Sequence, residues 1–146
     1  VIPTIINQTL NNNCKELKIG SLKPTRDFLF VDDNVNAYLS LINKKKVNGN
    51  IYNIGTGVEI SIYELIKKIF KILNKKNIKI SNQIIRNRPK KSEVMRLVCD
   101  STKMKKNTKW CSSINSKKDF DKHLIKTIEW YKKNNYKFNN QKNFYV

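Results

Sequence analysis

Apolar residues recur along much of the chain at intervals of three and four, which is the spacing of one face of a helix. The clearest such stretch begins at Ser61, where Glu64 completes a capping box. Its apolar face consists of Ile62, Leu65, Ile66, Ile69, Phe70 and Leu73. We therefore predict a helix that starts at Ser61 and buries this face.

Four other helices are predicted from the same spacing. One covers residues 3–10, with a proline at its start, and a second follows Asp32 or Asp33, which we expect to cap it. The apolar face of this second helix consists of Val35, Tyr38, Leu39 and Ile42. A short helix is predicted over residues 101–107, with Asp100 as its N-cap. The last helix has an apolar face of Phe120, Leu124, Thr127, Ile128 and Tyr131.

Short runs of β-branched and aromatic residues between polar turns predict strands. The clearest run covers residues 27–31, which include Phe28, Phe30 and Val31. Further extended segments are predicted at residues 17–20, 51–54, 78–86 and 94–98. Because strands alternate with helices, the sequence predicts an α/β fold with short strands.

The composition indicates one globular domain. The chain has 146 residues, of which 39% are hydrophobic and 28% are charged. Its longest apolar stretches are far too short to span a bilayer, and no basic and apolar leader opens the sequence, so we expect a cytoplasmic protein without a membrane partner. Three widely spaced cysteines and a single histidine fit neither a disulfide framework nor a zinc site. We therefore predict reduced thiols and no bound metal.

A net charge of +19 makes nucleic acid the first partner to consider. The 30 basic residues include only four arginines, and the lysines are spread in short pairs through every segment instead of being gathered on one arm. Lys, Asn and Ile, all abundant here, are the residues that AT-rich codons encode. We attribute the charge to solvated faces and predict no nucleic-acid partner.

Arg26 is the candidate binding residue that the local pattern favours. It stands where a predicted strand begins, and its planar guanidinium offers a fork of donors suited to phosphate oxygens. The alternative for an isolated arginine is a surface ion pair, here with Asp27 or Asp32.

Three blocks of sequence give Arg26 a wider context. The first has Thr-Arg-Asp-Phe at residues 25–28 and Val-Asp-Asp at 31–33, and the second has Ile-Tyr-Asn-Ile-Gly-Thr-Gly at 51–57. The third has Arg-Pro-Lys-Lys-Ser-Glu-Val at 88–94 and Asp-Ser-Thr-Lys at 100–103. In order and spacing, these blocks resemble the C-terminal part of the extended short-chain dehydrogenase/reductase family, the NAD-dependent epimerases and dehydratases of nucleotide sugars.

The resemblance covers residues 1–131 and is strongest to 4,6-dehydratases that act on N-acetylglucosamine nucleotides. It implies that residues 1–133 form the substrate-binding part of a Rossmann-type enzyme and that residues 134–146 are a polar tail. NAD and the catalytic Tyr and Lys would belong to an N-terminal half that this sequence does not contain. The full-length enzyme would be a homodimer.

By position, the resemblance assigns several residues to the substrate and none to catalysis. Arg26 and Arg88 would grip the diphosphate from opposite sides, and Glu93 would accept a hydrogen bond from the ribose. The extended piece beside the nucleobase would consist of Leu17, Lys18 and Ile19.

Two motifs imitate catalytic or cofactor sites. Tyr63 and Lys67 have the Tyr-x-x-x-Lys spacing of the family's catalytic pair, but they follow the Gly-Thr-Gly segment, whereas the family's pair lies well upstream. Gly55 and Gly57 resemble a dinucleotide-binding turn, although the third glycine is missing and no acidic residue follows about 20 positions later. We assign neither motif a role in chemistry.

The function predicted from these observations is the binding of a UDP- or GDP-linked hexose within an NAD-dependent 4,6-dehydratase. Three alternatives stay open. They are a 4-epimerase of the same family, a non-catalytic sugar-nucleotide-binding module, and a basic nucleic-acid-binding domain.

Overall fold

A computed structural model describes residues 1–42, 44, 47, 49–83 and 92–139. The elements follow in the order α1 (Ile2–Leu10), β1 (Glu16–Ile19), β2 (Thr25–Asp27), α2 (Val31–Ile42), β3 (Glu59–Ser61), α3 (Ile62–Ile72), β4 (Lys79–Asn82), β5 (Arg96–Leu97), α4 (Thr102–Thr108) and α5 (Lys117–Asn139). The α/β class predicted from the sequence is confirmed.

The chain divides into two compact units, each assembled from segments that are distant in sequence. The first unit comprises Val1–Leu22, Tyr63–Arg88 and Asp121–Val146, and the second comprises Lys23–Ile62 and Pro89–Phe120. The length of the chain predicts one domain, and nothing in the sequence indicated a division into two units.

The first unit contains a two-stranded sheet in which β1 and β4 run parallel, with Leu17 opposite Ile80. Its buried core comes from α1, β1, α3 and α5 and comprises Ile5, Ile6, Leu17, Ile19, Leu65, Ile66, Ile69, Phe70, Leu124 and Ile128. The predicted apolar face of α3 is therefore buried except at Leu73, which is half-buried. An ion pair of 2.7 Å joins Lys68 on α3 to Asp121 on α5. Helix α5 continues to Asn139, where the sequence predicts a loose tail after residue 133.

The second unit contains a three-stranded sheet in the order β3-β2-β5. The central strand β2 pairs antiparallel with β3, where Arg26 lies opposite Ile60, and parallel with β5, where Arg26 lies opposite Leu97. Helices α2 and α4 enclose a core cluster of Ala37, Met104 and Trp110. The indole Nε1 of Trp110 donates to the backbone oxygen of Asp33 at 3.1 Å. These contacts position β2 between two strands, with Arg26 in its middle.

Three sequence-based predictions in this region are wrong. The strand predicted at residues 27–31 ends at Asp27, because β3 and β5 pair only with Thr25–Asp27, and Val31 already belongs to α2. Phe28 instead packs its ring against Phe120, with centroids 5.9 Å apart.

Asp33 does not cap α2 but lies inside the helix, with only 6% of its surface exposed. Its Oδ2 accepts hydrogen bonds from the Ser112 hydroxyl and from the backbone and hydroxyl of Ser113. The Asp33 carboxylate therefore accepts hydrogen bonds from a loop that is distant in sequence, instead of from the amides of its own helix. The N-cap of α4 is Ser101 and not Asp100, so that prediction is wrong by one residue, although Oδ1 of Asp100 still accepts from the backbone N–H of Thr102 at 2.9 Å.

The described residues contain no helix long and apolar enough to cross a membrane. They also contain no group of His, Cys, Asp and Glu side chains that could hold a metal ion. The cysteines Cys14, Cys99 and Cys111 are all free thiols.

Candidate functional site

Arg26 lies half-buried in the centre of β2, and its charge is not neutralised by any described residue. Its Nη1 donates to the backbone oxygen of Thr25 at 2.7 Å, and no described carboxylate lies within 4 Å of the guanidinium. By contrast, Nε of Arg96 on β5 donates to both carboxylate oxygens of Glu59, at 3.2 and 3.0 Å. The surface ion pair considered for Arg26 is therefore not formed, and most of its donors stay available for an anion.

The carboxylate of Asp27, next to Arg26, is occupied by other donors. Its Oδ1 accepts from the hydroxyl of Thr56 at 2.6 Å and from the backbone N–H of Thr56 at 3.1 Å. Its Oδ2 accepts from the backbone N–H groups of Gly57 at 2.9 Å and Cys99 at 3.2 Å. Asp27 thus ties β2 to two other segments, and this role explains why it does not pair with Arg26.

The same contacts exclude the Gly55-Thr56-Gly57 turn as a cofactor site. In a dinucleotide-binding turn, free backbone amides point at the pyrophosphate. Here the amides of Thr56 and Gly57 already donate to the Asp27 carboxylate. These residues therefore do not fit NAD, and no step of a reaction can be assigned to them.

Of the other predicted contacts to the diphosphate and the ribose, only that of Glu93 falls on a described residue. Glu93 is half-buried, lies outside any helix or strand, and precedes β5 by two residues. Arg88 lies outside the described residues. The opposed arrangement of Arg26 and Arg88 around a diphosphate therefore stays a prediction, as does the ribose contact of Glu93.

The predicted nucleobase segment lies in β1 of the first unit. Leu17 and Ile19 are buried in the core of that unit, whereas Lys18 is exposed. The side-chain amide of Gln8 accepts from the backbone N–H of Lys18 at 2.9 Å and donates to its oxygen at 3.0 Å. The backbone of Lys18 is therefore already bonded within the unit, and the nucleobase contact also stays a prediction.

A groove of about 600 Å³ opens on the second unit. Its lining includes Asp27, Tyr38, Tyr52, Cys99 and Asp100. Burial, followed by the nearby carboxylates of Asp27 and Asp100, raises the pKa of the Cys99 thiol. Because only the thiolate is a strong nucleophile, Cys99 is not equipped for covalent catalysis.

Tyr63 and Lys67 form a surface contact on α3. The ammonium of Lys67 lies 5.4 Å from the centre of the Tyr63 ring, and about half of the Tyr63 surface is exposed. A lysine over the face of an aromatic ring is a cation–π contact, of modest strength at an exposed site. It offers no sign of a catalytic pair.

The ion pair between Glu59 and Arg96 makes a small, pH-dependent contribution to stability. The hydrogen bond from Arg96, followed by that from Thr25, lowers the pKa of Glu59. A carboxyl whose pKa is lower in the folded than in the unfolded chain stabilises the fold above its unfolded pKa. That contribution disappears as the pH falls through its folded pKa.

We therefore expect Glu59→Gln to lower the melting temperature slightly at neutral pH and to have a smaller effect at acidic pH, as the Glu59 carboxyl becomes protonated. Thermal melts at the two pH values would measure this. Glu129→Gln, an exposed acid on α5, is the matched control. An equal effect of Glu59→Gln at both pH values would contradict the assignment.

Sequence reasoning missed the role of Asp27. Its partners lie 29 to 72 residues away, so no local pattern shows them. The sequence contained one signal for this role. Asp27 directly follows Arg26, and successive residues of a strand point to opposite faces of the sheet, so the two side chains have different surroundings.

Comparisons with known proteins agree on one family of enzymes. The family model described as GDP-mannose 4,6 dehydratase matches residues 1–123. The dTDP-D-glucose 4,6-dehydratase of Homo sapiens is 35% identical over 98% of this chain and 39% of its own length.

Solved structures that share the fold at 25% identity or more include a dehydratase and an epimerase. The dTDP-glucose 4,6-dehydratase of Bacillus anthracis in complex with NAD superposes with a TM-score of 0.73 and 28% identity, covering 92% of this chain and 40% of that one. The UDP-glucose 4-epimerase of Thermotoga maritima with UDP-glucose gives a TM-score of 0.71 and 25% identity, covering 90% and 39%. The chain thus spans about two fifths of the length of these proteins.

Proposed function

The chain belongs to the GDP-mannose 4,6-dehydratase family of extended short-chain dehydrogenases/reductases, and from this membership we propose that it is the substrate-binding part of an NAD-dependent nucleotide-sugar 4,6-dehydratase. Its task would be to hold the diphosphate of a hexose nucleotide. The names of the human and Bacillus anthracis relatives make dTDP a candidate beside UDP and GDP.

The observation that carries this proposal is the guanidinium of Arg26, which has no carboxylate partner among the described residues. A half-buried charge without a partner is costly unless a ligand neutralises it, and a diphosphate does so through charge-assisted hydrogen bonds. The neighbouring carboxylates do not compete, because Asp27 is occupied by four donors and Glu59 is paired with Arg96.

Binding of the remote nucleotide serves the reaction without taking part in it. Interaction energy from a non-reacting part of the substrate positions the sugar for chemistry elsewhere. This agrees with the lack of a catalytic pair at Tyr63 and Lys67 and with the protonated Cys99.

A 4-epimerase of the same family is the second candidate, favoured by the likeness to the Thermotoga maritima enzyme. We prefer the dehydratase because the matching family model and the human and Bacillus anthracis relatives are all named as 4,6-dehydratases. Both candidates require the same diphosphate contact.

The protein should bind dTDP, UDP or GDP. We expect Arg26→Ala to raise the Kd of that nucleotide at least tenfold, which corresponds to about 1.4 kcal/mol of binding free energy. The expectation follows from the loss of hydrogen bonds to a charged group, each of which contributes about 1.5–3 kcal/mol. Isothermal titration calorimetry on the protein would measure the change. Lys23→Ala removes an exposed charge only three residues away and is the matched control.

Equal nucleotide affinity of the parent protein and Arg26→Ala would contradict the diphosphate assignment. The competing nucleic-acid function predicts a different result, namely sub-micromolar binding of mixed RNA or DNA that persists at physiological salt. Binding that disappears between low and physiological salt would reflect the net charge of +19 alone.

A further inference from the structure

A second cavity, of about 480 Å³, lies in the first unit between two loops. One loop, residues 11–15, joins α1 to β1, and the other, residues 73–78, joins α3 to β4. The volume falls within the range of about 300–1,000 Å³ that is typical of small-molecule sites. The first unit therefore has room for a small ligand that the proposed function does not assign.

Hydrogen bonds fix both walls of this cavity. The backbone N–H of Lys79, at the start of β4, donates to the backbone oxygen of Lys15 at 3.0 Å and so joins the two loops. Within the first loop, the backbone N–H of Cys14 donates to the backbone oxygen of Asn11 at 3.1 Å, and that of Asn13 donates to Oδ1 of Asn11 at 2.9 Å. Because its walls are formed in advance, the cavity would lose little conformational freedom on binding a ligand.

The lining of the cavity is positively charged and has no compensating acid. Lys15 of the first loop and Lys75 and Lys76 of the second line it, and none of the described lining residues is acidic. No described carboxylate lies within 4 Å of these three ammonium groups. The acid that follows Lys15, Glu16, lies opposite Lys79 on β4. Since three like charges around one cavity repel each other, an anion bound among them would relieve that repulsion.

The C-terminus of α3 precedes the second loop and makes the one contribution that opposes an anion. A helix C-terminus carries a partial charge of about −0.5, through backbone oxygens that lack a partner. Here the backbone N–H groups of Leu73, Asn74 and Lys75 donate to oxygens in the last turn of α3, at 2.9, 3.2 and 2.9 Å. The three full charges of the lysines therefore outweigh the partial charge of the helix.

The residue type of these cations favours a phosphate group over a carboxylate. The ammonium group of lysine is a compact point charge, whereas the planar fork of arginine is the better match for a carboxylate. A phosphate monoester carries a charge of about −1.5 to −2 and three acceptor oxygens. Three lysines can thus each donate to a different oxygen of one phosphate.

Three asparagines in the lining suit hydroxyl groups on the same ligand. They are Asn12, Asn74 and Asn77. Their side-chain amides form no hydrogen bond with a described residue. Each amide offers an acceptor oxygen and two N–H donors, and a hydroxyl group both donates and accepts. The lining is therefore complementary to a molecule that combines a phosphate with several hydroxyls.

We propose that the cavity lined by these three lysines and three asparagines, here called the lysine pocket, binds a monosaccharide phosphate. Its residues belong to the first unit, whereas Arg26 belongs to the second, so the inference does not rest on the proposed function. Nucleic acid is the competing occupant. The phosphates of a nucleic acid follow one another along a chain, and proteins that bind single strands track them with a continuous groove.

Isothermal titration calorimetry of the full-length protein with glucose 6-phosphate, at constant ionic strength, tests the proposal. We expect a Kd below about 1 mM. Replacing Lys15, Lys75 and Lys76 together with glutamine should raise this Kd at least about tenfold, because the charge-assisted hydrogen bonds are lost.

The matched control replaces Lys105, Lys106 and Lys109, three exposed lysines of the second unit, with glutamine. It removes the same number of charges and should change the Kd by less than about twofold. Arg26→Ala should also leave the Kd for glucose 6-phosphate unchanged, which separates this site from the proposed diphosphate contact.

A second pair of variants tests the hydroxyl contacts. Asn77→Ala should raise the Kd for glucose 6-phosphate at least about threefold and leave that for inorganic phosphate unchanged. Asn13→Ala, an exposed asparagine of the first loop that does not line the cavity, should change neither. Inorganic phosphate itself should bind more weakly than glucose 6-phosphate.

Equal losses in the two triple-lysine variants, or no binding by the parent protein, would overturn the proposal. Loss of binding in Arg26→Ala would assign glucose 6-phosphate to the diphosphate contact instead. Equal Kd values for inorganic phosphate and glucose 6-phosphate would show an adventitious ion only. Binding of mixed RNA at physiological salt that only the lysine-pocket variant abolishes would overturn the proposal in favour of nucleic acid.

Discussion

Replacing Asp27 with alanine is expected to lower the free energy of unfolding by about 3–5 kcal/mol. The carboxylate accepts hydrogen bonds from the hydroxyl and backbone N–H of Thr56 and from the backbone N–H groups of Gly57 and Cys99. Alanine leaves the three backbone N–H groups without this acceptor, and Thr56 is buried, so water cannot replace the lost bond there at no cost. Urea or thermal unfolding would measure the change.

Asp27→Asn sharpens this experiment. The amide has the shape of the carboxylate but only one acceptor oxygen, and its NH₂ group would face donors at Gly57 and Cys99. We expect it to recover only a minor part of the loss. Asp32→Ala, which removes an exposed acid from α2, should change stability by less than about 0.5 kcal/mol. An effect of Asp27→Ala as small as that of Asp32→Ala would show that the hydrogen bonds contribute little.

Gly55→Ala is expected to destabilise the protein by about 3 kcal/mol or more, at the upper end of the cost of overpacking. A methyl group at this position would overlap Cβ of Cys99 and would lie 2.7 Å from Sγ of Cys99 and 2.9 Å from Oδ2 of Asp27. Cβ of Cys99 cannot move without its backbone, and moving Asp27 breaks the contacts described above. The loss should appear in the same unfolding measurements.

The double variant Gly55→Ala with Cys99→Gly lacks Cβ and Sγ of residue 99, the two atoms of Cys99 that the added methyl group would meet. It should recover part of the lost stability, with a coupling free energy between the two substitutions of about 1–3 kcal/mol. Gly57→Ala is the control for backbone conformation. Its φ of +78° disfavours alanine by about 1 kcal/mol, but the nearest atom to its added methyl group is 3.9 Å away. If Gly55→Ala cost no more than Gly57→Ala, the close contact with Cys99 would not be the cause.

The helices could be predicted from the sequence because their signals are local. In α3, four of the six residues of the predicted apolar face, Leu65, Ile66, Ile69 and Phe70, are buried in the first unit. The same spacing in α2 identified a helix correctly but not which face the described residues cover, because burial depends on what lies opposite. The sequence alone determines the spacing of Val35, Tyr38, Leu39 and Ile42. Their exposure depends on what packs against the helix.

The strands and the candidate site depended on partners that local patterns do not show. Phe28 and Phe30 suggest a strand, but strand length is set by pairing, and β3 and β5 reach only Thr25–Asp27. Arg26 could be singled out as a phosphate ligand from the residue type and the family resemblance. That Arg26 has no ionic partner among the described residues could not be predicted, because it follows from donors at Thr56, Gly57 and Cys99 that occupy Asp27.

The distant pairings in both units also determine when each unit can form during synthesis. Strand β1 can pair only after β4, which ends at Asn82, has been synthesised. The carboxylate of Asp33 likewise gains its partner only after Ser113 has been synthesised. Folds dominated by contacts between distant residues form slowly, because loop closure must precede any gain from pairing. A ribosome would therefore have to release Asn82 before the first sheet is complete and Leu97 before the second is complete. A nascent chain stalled before residue 92 would lack β5 and the amide of Cys99 that donates to Asp27.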